Sequence, residues 1–225
     1  MNYIIAIDGP VASGKGTVAR ILSRKFGIVS LDTGALYRGI TVYLLDNKIN
    51  DEKGIMEALD KINLSVKWAD GSTSVILNGE DITNRIRDNA VSVRVAKVSP
   101  ISAVRDKIRQ IQQQIAESTN LVCEGRDITS VVFPNARFKF YIDASVRERA
   151  KRRYLELKGL GQDVCLTELE RQIADRDHAD MTREKSPLVL VKDAIRIDAS
   201  KISAEEVAIK IEQIVTKALV EEASK

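Results

Sequence analysis

The sequence predicts a three-layer α/β fold, in which helices cover both faces of a five-stranded parallel sheet. Five short apolar runs, each followed by an acidic residue, predict the strands; they cover residues 3–7, 28–31, 121–123, 138–142 and 194–197. Runs this short and apolar are typical of a parallel sheet that is buried on both faces. Helical patterns lie between the runs, and strands that alternate with helices indicate a doubly wound sheet.

The helices are predicted from apolar spacing and from their start signals. Residues 15–26 carry apolar side chains at close to helical spacing. A serine or threonine followed three residues later by glutamate is a capping box, which marks a helix start. This pattern begins at Ser145, Thr167 and Ser203, and it predicts three further helices.

One region departs from the alternation of strands and helices. Residues 64–68 and 74–77 have the character of two strands, and Asp70, Gly71 and Ser72 form a turn signal between them. We therefore expect a small antiparallel insertion. The predicted division is a core of residues 1–62 and 93–225 with an inserted subdomain at about 63–92.

The composition is that of an ordinary globular protein, with 44% apolar and 30% charged residues. The formal net charge of +3, from 35 basic and 32 acidic residues, is weaker than expected for a dedicated nucleic-acid binder. One histidine and two cysteines, Cys123 and Cys165, argue against a zinc site and a disulfide framework. No stretch approaches the ~20 apolar residues of a membrane span, and the first residues do not resemble a signal peptide. We expect a cytoplasmic protein that binds neither nucleic acid nor membrane.

The strongest motif lies between the first predicted strand and the first predicted helix. It matches the phosphate-loop pattern GxxxxGK[ST], except that one glycine separates the lysine from the threonine. Its residues are Gly9, Pro10, Val11, Ala12, Ser13, Gly14, Lys15, Gly16 and Thr17. Glycines let backbone N–H groups point at phosphates, and the helix N-terminus adds partial positive charge. We predict an ATP site in which Lys15 contacts the β- and γ-phosphates and Thr17 offers its hydroxyl to Mg²⁺. The loop alone also fits a regulatory switch that binds a nucleotide without turnover.

A second group of residues suits a phosphate-bearing acceptor, because phosphoryl transfer to an anion needs in-line positioning and positive charge. Thr33 and Arg38 follow the second predicted strand, with Thr33 at the position of a helix N-cap. Glu124, Arg126 and Asp127 follow the third, at the edge where open α/β sheets bind ligands. Glu124 is placed to order Mg²⁺ or its water. The alternatives are a simple cap for Thr33, an exposed helix residue for Arg38, and a structural ion pair for the third-strand residues.

A third group follows later in the chain. Arg176, Asp180 and Arg183 are spaced by four and three residues, so the spacing puts all three on one helical face. Two arginines that flank an acid would form a movable clamp on phosphates. An exposed, salt-bridged helix is the alternative.

Taken together, these motifs resemble bacterial cytidylate kinase along essentially the whole chain. The family's elements appear in order: IDGPVASGKGT at 7–17, LDTGALYR at 31–38, the insertion near 63–92, EGRDITSVVFP at 124–134 and RDHADMTREKSPL at 176–188. The phosphate loop is common to many kinases, whereas the second and fourth stretches are more specific. The insertion distinguishes this family from adenylate kinase. The resemblance implies a phosphate-loop NTPase-type fold with a helical lid.

The resemblance also implies roles for individual residues. Arg38 and Arg126 would contact the acceptor phosphate, Arg105 and Asp127 would hydrogen-bond the cytosine ring, and Arg183 would be a lid arginine. The acceptor-binding residues that it implies are Thr33, Arg38, Arg105, Arg126, Asp127, Arg176 and Asp180. The residues expected to stabilise the transferring group are Lys15, Arg126, Arg176 and Arg183, and those expected to hold Mg²⁺, in part through water, are Thr17 and Glu124.

The sequence also departs from the family pattern. Ala96 stands where a well-known member has a serine that contacts the base, which predicts weaker cytosine selection. Glu124 stands where the family motif begins with aspartate, a change that a carboxylate acting through water tolerates.

The sequence therefore predicts transfer of the γ-phosphoryl group of ATP to CMP, and to dCMP as a second acceptor, with Mg²⁺ bridging the donor phosphates. A lid at about 157–185, with Gly159 and Gly161 as hinges, would exclude water. We expect a monomer. The alternatives are a phosphate-loop kinase for another small acceptor, such as UMP, AMP or shikimate, and a non-catalytic nucleotide switch.

Overall fold

The structure is a computed structural model that describes residues 2–69 and 72–224. The strands are β1 (Ile4–Asp8), β2 (Val29–Asp32), β3 (Leu64–Ala69), β4 (Ser72–Leu77), β5 (Glu80–Asp81), β6 (Leu121–Gly125), β7 (Phe138–Asp143) and β8 (Ile195–Asp198). The α-helices are α1 (Lys15–Phe26), α2 (Thr33–Asp46), α3 (Glu52–Leu59), α4 (Asn89–Val98), α5 (Ser102–Ser118), α6 (Val146–Gly159), α7 (Leu166–Thr182) and α8 (Ala204–Ala223). A short 3₁₀ turn covers Arg85–Arg87, and a π-type turn covers Ile128–Val132.

The central sheet has five parallel strands in the order β2–β6–β1–β7–β8. The predicted α/β fold with a five-stranded parallel sheet is therefore confirmed. The connections that leave the neighbouring strands β1 and β6 run in opposite directions, to β2 on one side and to β7 on the other. Such a switch point opens a crevice at the carboxyl ends of the strands, where ligands of open α/β sheets bind.

Each face of the sheet is covered by its own hydrophobic cluster. On one face α1 and α8 pack against β1, β7 and β8, and Val18, Leu22 and Ile211 are fully buried there. On the other face α2, α4 and α5 form a second cluster. The two clusters hold the strand ends, and the loops that follow them, at one edge of the sheet.

The small antiparallel sheet β3–β4–β5 is also present. Its apolar side chains, including Leu64 and Val75, belong to the same cluster as α2 and α5. The approach is close, since a Cβ on Gly39 of α2 would lie 2.7 Å from Leu64 Cδ1. The expected turn at Asp70–Gly71 lies outside the described residues. The assignment of residues 63–92 to a separate subdomain stays a prediction.

Two predicted helix starts are confirmed. Ser203 accepts a hydrogen bond from the backbone N–H of Glu206, and the Glu206 carboxylate accepts one from the backbone N–H of Ser203. Ser145 accepts from the backbone N–H of Glu148. Both helices therefore begin where the capping pattern indicates.

Two other expected caps are wrong. The cap predicted at Thr167 lies two residues earlier, at Cys165, which is extended and whose sulfur lies 3.1 Å from the Thr167 hydroxyl. The N-cap of α2 is Asp32, whose side chain accepts from the N–H of Ala35. Thr33 is instead the first helical residue, and its hydroxyl donates to the carbonyl of Glu124 at 2.8 Å.

Helices α6 and α7 form a hairpin with a small cluster of its own. Its four buried apolar residues are Ala150, Leu157, Leu169 and Ile173. Val11 and Ala12 of the phosphate loop pack against this cluster, so the hairpin rests on the loop. Within the part of the chain that the structure describes, no helix combines the length and apolarity needed to cross a membrane.

Candidate active site

The phosphate loop runs from β1 into α1 and depends on close backbone approach. A Cβ on Gly9 would lie 2.1 Å from the Ile142 carbonyl oxygen, so this position accepts only glycine without a backbone shift. Gly14 has φ +92°, and Ala12 has φ +58°, which is left-handed for a residue with a side chain. The Ser13 side-chain oxygen is buried and has no hydrogen-bond partner among the described residues. The loop thus keeps the curled form that a phosphate cradle needs.

Lys15 lies at the centre of the strand edge and is only 6% exposed. Its ammonium donates to the Pro10 carbonyl at 3.1 Å and lies 3.9 Å from Glu124 Oε2. Burial, together with the nearby Arg126 guanidinium, lowers the pKa of Lys15 to about 8. Burial raises the pKa of Glu124 above its usual value, against the opposing effect of the Lys15 charge. The two groups therefore form a weakly solvated pair that a nucleotide phosphate would rearrange.

Two cavities open on either side of Lys15. The first, of about 410 Å³, lies outside the loop and is lined by Thr17, Arg20, Arg153 and Ser203 among others. The second, of about 540 Å³, lies over the ends of β2 and β6. Lys15 and Ala12 line both cavities. A donor phosphate in the first cavity and an acceptor phosphate in the second would meet at Lys15.

The structure brings all the predicted acceptor-side residues to the second cavity. They come from α2, α5, the loop after β6 and α7, elements far apart in the chain. Its lining includes Thr33, Arg38, Arg105, Arg126, Asp127, Arg176, Asp180 and Arg183. Arg38 has no hydrogen bond or ion pair within residues 2–69 and 72–224, so its guanidinium is available to an anion in the cavity.

Asp180 is the centre of the arginine cluster. Its carboxylate lies 2.8 Å from Arg126 Nε, 3.5 Å from Arg176 Nε and 3.7 Å from Arg183 Nη1. The predicted spacing brings these charges together, although α7 ends at Thr182 and Arg183 lies just beyond it. Asp180 is 3% exposed, so this carboxylate is shared by three arginines in a poorly solvated place. An added phosphate would be attracted by the excess of positive charge.

Arg105 and Asp127 form a direct ion pair that also lines this cavity. Arg105 Nη2 donates to Asp127 Oδ2 at 2.6 Å, and the guanidinium lies 5.9 Å from the centre of the Tyr37 ring. Ala96 and Ser99 line the cavity beside them. This part of the cavity therefore presents a donor group, an acceptor group and an aromatic ring, which is a set suited to a heterocyclic base.

Asp8 is a buried residue at this edge whose function we did not predict from the sequence. Its carboxylate accepts hydrogen bonds from the backbone N–H of Ile128 at 2.9 Å, the N–H of Thr129 at 2.7 Å and the Thr129 hydroxyl at 2.6 Å. It thereby fixes the π-type turn that follows Arg126 and Asp127. The only sequence signal is that the first strand run ends in an acid beside the loop.

Gln112 of α5 is a second residue that we did not predict. Its side-chain amide donates to Thr33 Oγ1 at 2.9 Å and lies 3.5 Å from Cys123 Sγ. The Thr33 hydroxyl donates its proton to the Glu124 carbonyl and accepts from Gln112, so one lone pair of its oxygen is left to accept a hydrogen bond from a substrate. The orientation of Thr33 is therefore set by α5.

The oxygen groups at this edge fit Mg²⁺ that is held mainly by substrate. No group of three or more His, Cys, Asp and Glu side chains placed to hold a metal occurs among the described residues. Thr17 supplies a hydroxyl, and Asp32 and Glu124 are register partners on β2 and β6. A Cβ on Gly16 would lie 3.4 Å from Glu124 Oε1, so the carboxylate stands against the loop. Mg²⁺ at nucleotide sites typically uses few protein oxygens, several waters and the substrate phosphates.

Comparison with known proteins places the chain in a family. The family model described as cytidylate kinase matches residues 5–217. The chain belongs to the cytidylate kinase family. It is 42% identical to the cytidylate kinase of Caldicellulosiruptor saccharolyticus, over 96% of each chain. It is 43% identical to the cytidylate kinase of Carboxydothermus hydrogenoformans, over 94% of this chain and 96% of the other.

Membership of the cytidylate kinase family confirms the expected resemblance and makes the chain a nucleotide-binding kinase, not a non-catalytic switch. A crystal structure of an uncharacterized protein from Eubacterium ventriosum matches with a TM-score of 0.50 at 14% identity, covering 96% of this chain and 99% of the other. That likeness concerns the fold alone. The roles of individual site residues stay predictions.

Proposed function

We propose that the protein transfers the γ-phosphoryl group of ATP to CMP, giving ADP and CDP, and that dCMP is a second acceptor. The observation that best supports this reaction is the pair of cavities that meet at Lys15. One lies outside the phosphate loop, and the other is lined by the arginine cluster. The relatives named cytidylate kinase support CMP as the acceptor. The use of dCMP is inferred by resemblance.

The chemistry asks little of the protein beyond position and charge. An acceptor phosphate oxygen forms a bond to the γ-phosphorus, and the bond from that phosphorus to the β–γ bridging oxygen breaks in line with it. The acceptor oxygen is already ionised at neutral pH, so no general base is required. Five cations would distribute stabilisation over the transferring group; they are Lys15, Arg38, Arg126, Arg176 and Arg183.

Asp180 arranges three of these cations before the substrates bind. It holds the guanidinium groups of Arg126, Arg176 and Arg183 near one point before any phosphate arrives. Preorganised cations need no reorganisation at the moment of transfer. The acceptor phosphate would draw these arginines away from Asp180, which is then free to accept a hydrogen bond from the acceptor sugar.

Base selection is assigned to Arg105 and Asp127. Without a ligand they are paired with each other, so neither group is left unsatisfied. A cytosine ring would exchange that pair for hydrogen bonds to the base, and a ring with the opposite donors and acceptors would leave buried groups unpaired. Ala96 offers no polar contact, which predicts looser selection than in relatives that carry a serine there.

Thr17 and Glu124 are the residues proposed to hold Mg²⁺, Glu124 through a water molecule. The ion neutralises charge on the donor phosphates and orients them when it is bound. Lys15 would hold the phosphate oxygens from the loop side.

The lid at about 157–185 and the insertion at 63–92 are proposed to close over the two substrates. The α6–α7 hairpin packs on Val11 and Ala12, so its closure would exclude water from the loop. We propose a monomer as the active form, because one chain brings all the predicted acceptor-binding residues to one cavity.

The test is ADP release from ATP and Mg²⁺ with CMP, dCMP, UMP, AMP and GMP offered separately, together with a control without acceptor. We expect rapid release with CMP and dCMP, and slower release with UMP because Ala96 offers the base no polar contact. If UMP matches CMP, the Ala96→Ser variant should restore discrimination. If no acceptor raises the rate above the control while ATP still binds, the proposed reaction is wrong.

A further inference from the structure

We propose that Arg149 and Asp177 are positioning residues that set the shape of the phosphate loop from the lid hairpin. The inference rests on the proposed function, because the reaction that they would support is that phosphoryl transfer. Arg149 lies on α6 and Asp177 on α7, and neither residue lines the two substrate cavities.

The two side chains hold one residue of the loop, Val11, at both its N–H and its C=O. Arg149 Nη1 donates to the Val11 carbonyl at 2.9 Å, and Asp177 Oδ1 accepts from the Val11 N–H at 3.4 Å. Arg149 Nη2 donates to Asp177 Oδ2 at 2.5 Å, and its Nε donates to the Ala144 carbonyl at 2.8 Å. The pair therefore links α6, α7 and the loop through a single buried network.

Both charged side chains of this network are removed from water, which carries a desolvation cost. Arg149 is 3% exposed and Asp177 is 7% exposed. A buried ion pair is retained at a high desolvation cost, and a well-packed apolar pair often gives equal or greater stability. Stability alone therefore does not explain the pair, whereas fixing Val11 does.

The loop needs such support at this place. Ala12 follows Val11 directly and has φ +58°, a left-handed conformation that is unfavourable for a residue with a side chain. Strained backbone persists only where its surroundings hold it. With Val11 held at both its N–H and its C=O, the chain enters this strained residue in a fixed direction.

The same helix also carries groups of the acceptor cavity. Asp177 follows Arg176 in the chain and precedes Asp180 by three residues on α7. A displacement of α7 that moves Arg176 and Asp180 therefore also moves Asp177 and, through it, Val11. Loss of the pair is expected to release Val11, while Asp180 keeps its own contacts with Arg126 and Arg176.

Three variants separate positioning from plain stabilisation. Arg149→Lys keeps the charge and loses the fork that reaches Val11. Asp177→Asn keeps the shape and removes the charge. The double variant Arg149→Met/Asp177→Leu replaces the pair by apolar groups of similar size, which restores stability in comparable cases. Asp175→Asn is the matched control, since Asp175 is exposed on the same helix and its carboxylate lies 3.4 Å from Arg171.

The readouts are the Kd for ATP by calorimetry, the separate KM values for ATP and CMP, and the Tm. We expect each single variant to weaken ATP binding by about tenfold or more, as loss of a charged hydrogen bond would. The double variant should recover Tm while its Kd for ATP stays raised. KM for CMP should change far less than KM for ATP, and Asp175→Asn should match the wild type.

Recovery of both Tm and ATP affinity in the double variant would show a structural role only and would overturn the inference. An equal rise in both KM values would also overturn it. If the wild type binds ATP but does not phosphorylate CMP, the proposed function fails, and the calorimetric comparison of the variants still decides the positioning role.

Discussion

At the scale of single residues, Lys15 shows how burial prepares the site for a polyphosphate. Its ammonium is removed from water and lies near the Arg126 guanidinium, and both effects disfavour its charged form. Its near neighbours are a backbone carbonyl and the Glu124 carboxylate. These are weak substitutes for the phosphates that the loop is shaped to hold.

This environment predicts proton uptake when ATP binds. Near pH 8, the lowered pKa leaves part of the free protein with a neutral Lys15. Bound phosphates favour the ammonium form and raise the pKa again, so binding takes up protons. Well below pH 8 the lysine is charged in both states, and uptake should vanish. Calorimetry in buffers of different ionisation enthalpy measures the effect.

The lowered pKa of Lys15 also fixes how stability and ATP affinity change with pH. A lowered lysine pKa means that the free, folded state binds fewer protons than the unfolded chain between pH 8 and the ordinary lysine value of 10.5. Over that interval the folded state gains stability as pH rises, while ATP affinity falls as the charged form is depleted. Proton release, or uptake that does not depend on pH, would contradict this assignment.

Residue roles could be predicted only where the signal is local. The phosphate loop is a contiguous motif, and Arg126 and Asp127 follow a strand end directly. The supporting residues could not be found this way, because their partners are distant in the chain. Asp8 holds a turn 120 positions later, and Gln112 orients Thr33 from 79 positions away.

At the scale of secondary-structure elements, the five central strands were predictable because buried parallel strands have short, continuous apolar runs. Helix starts were less predictable. The capping-box pattern locates α8 correctly, but at α7 the N-cap is Cys165 and not Thr167. Cys165 makes no side-chain capping hydrogen bond, so a cap preference could not identify this helix start.

The turn between α6 and α7 gives an element-scale prediction. Gly161 has φ +74°, and its N–H donates to the Lys158 carbonyl at 2.9 Å, so it ends α6 in a left-handed conformation. Gly161→Ala should lower the free energy of unfolding by about 1–2 kcal/mol. Urea denaturation, monitored by circular dichroism, measures the change.

Gly159 provides the matched comparison two residues earlier. It is the last residue of α6, and a Cβ there would meet no atom within 4 Å. Gly159→Ala should raise the free energy of unfolding, by up to about 1 kcal/mol, since alanine favours helix. Equal changes in the two variants would show that backbone conformation does not decide stability at this turn.

At the scale of the whole molecule, the two faces of the sheet and the lid hairpin differ greatly in how much apolar surface they bury. The central strands are packed on both faces, with Ile5, Ile7 and Val122 fully buried. The hairpin contributes four buried apolar side chains and is joined to the loop by the Arg149–Asp177 network. Regions with few buried contacts open locally at a lower free energy than the whole domain.

Hydrogen exchange should therefore show the hairpin as the element that responds to both substrates. In the free protein, amides of α7 should exchange much faster than those of β1 and β6, because α7 opens locally. ATP alone and CMP alone should each slow exchange in α7, and the two together should slow it further, since the helix contacts the loop and faces the acceptor. Helix α3 lines neither cavity and is the internal control, where no change is expected. If α7 exchanges as slowly as β1 before any nucleotide is added, the hairpin is part of the rigid core and does not act as a lid.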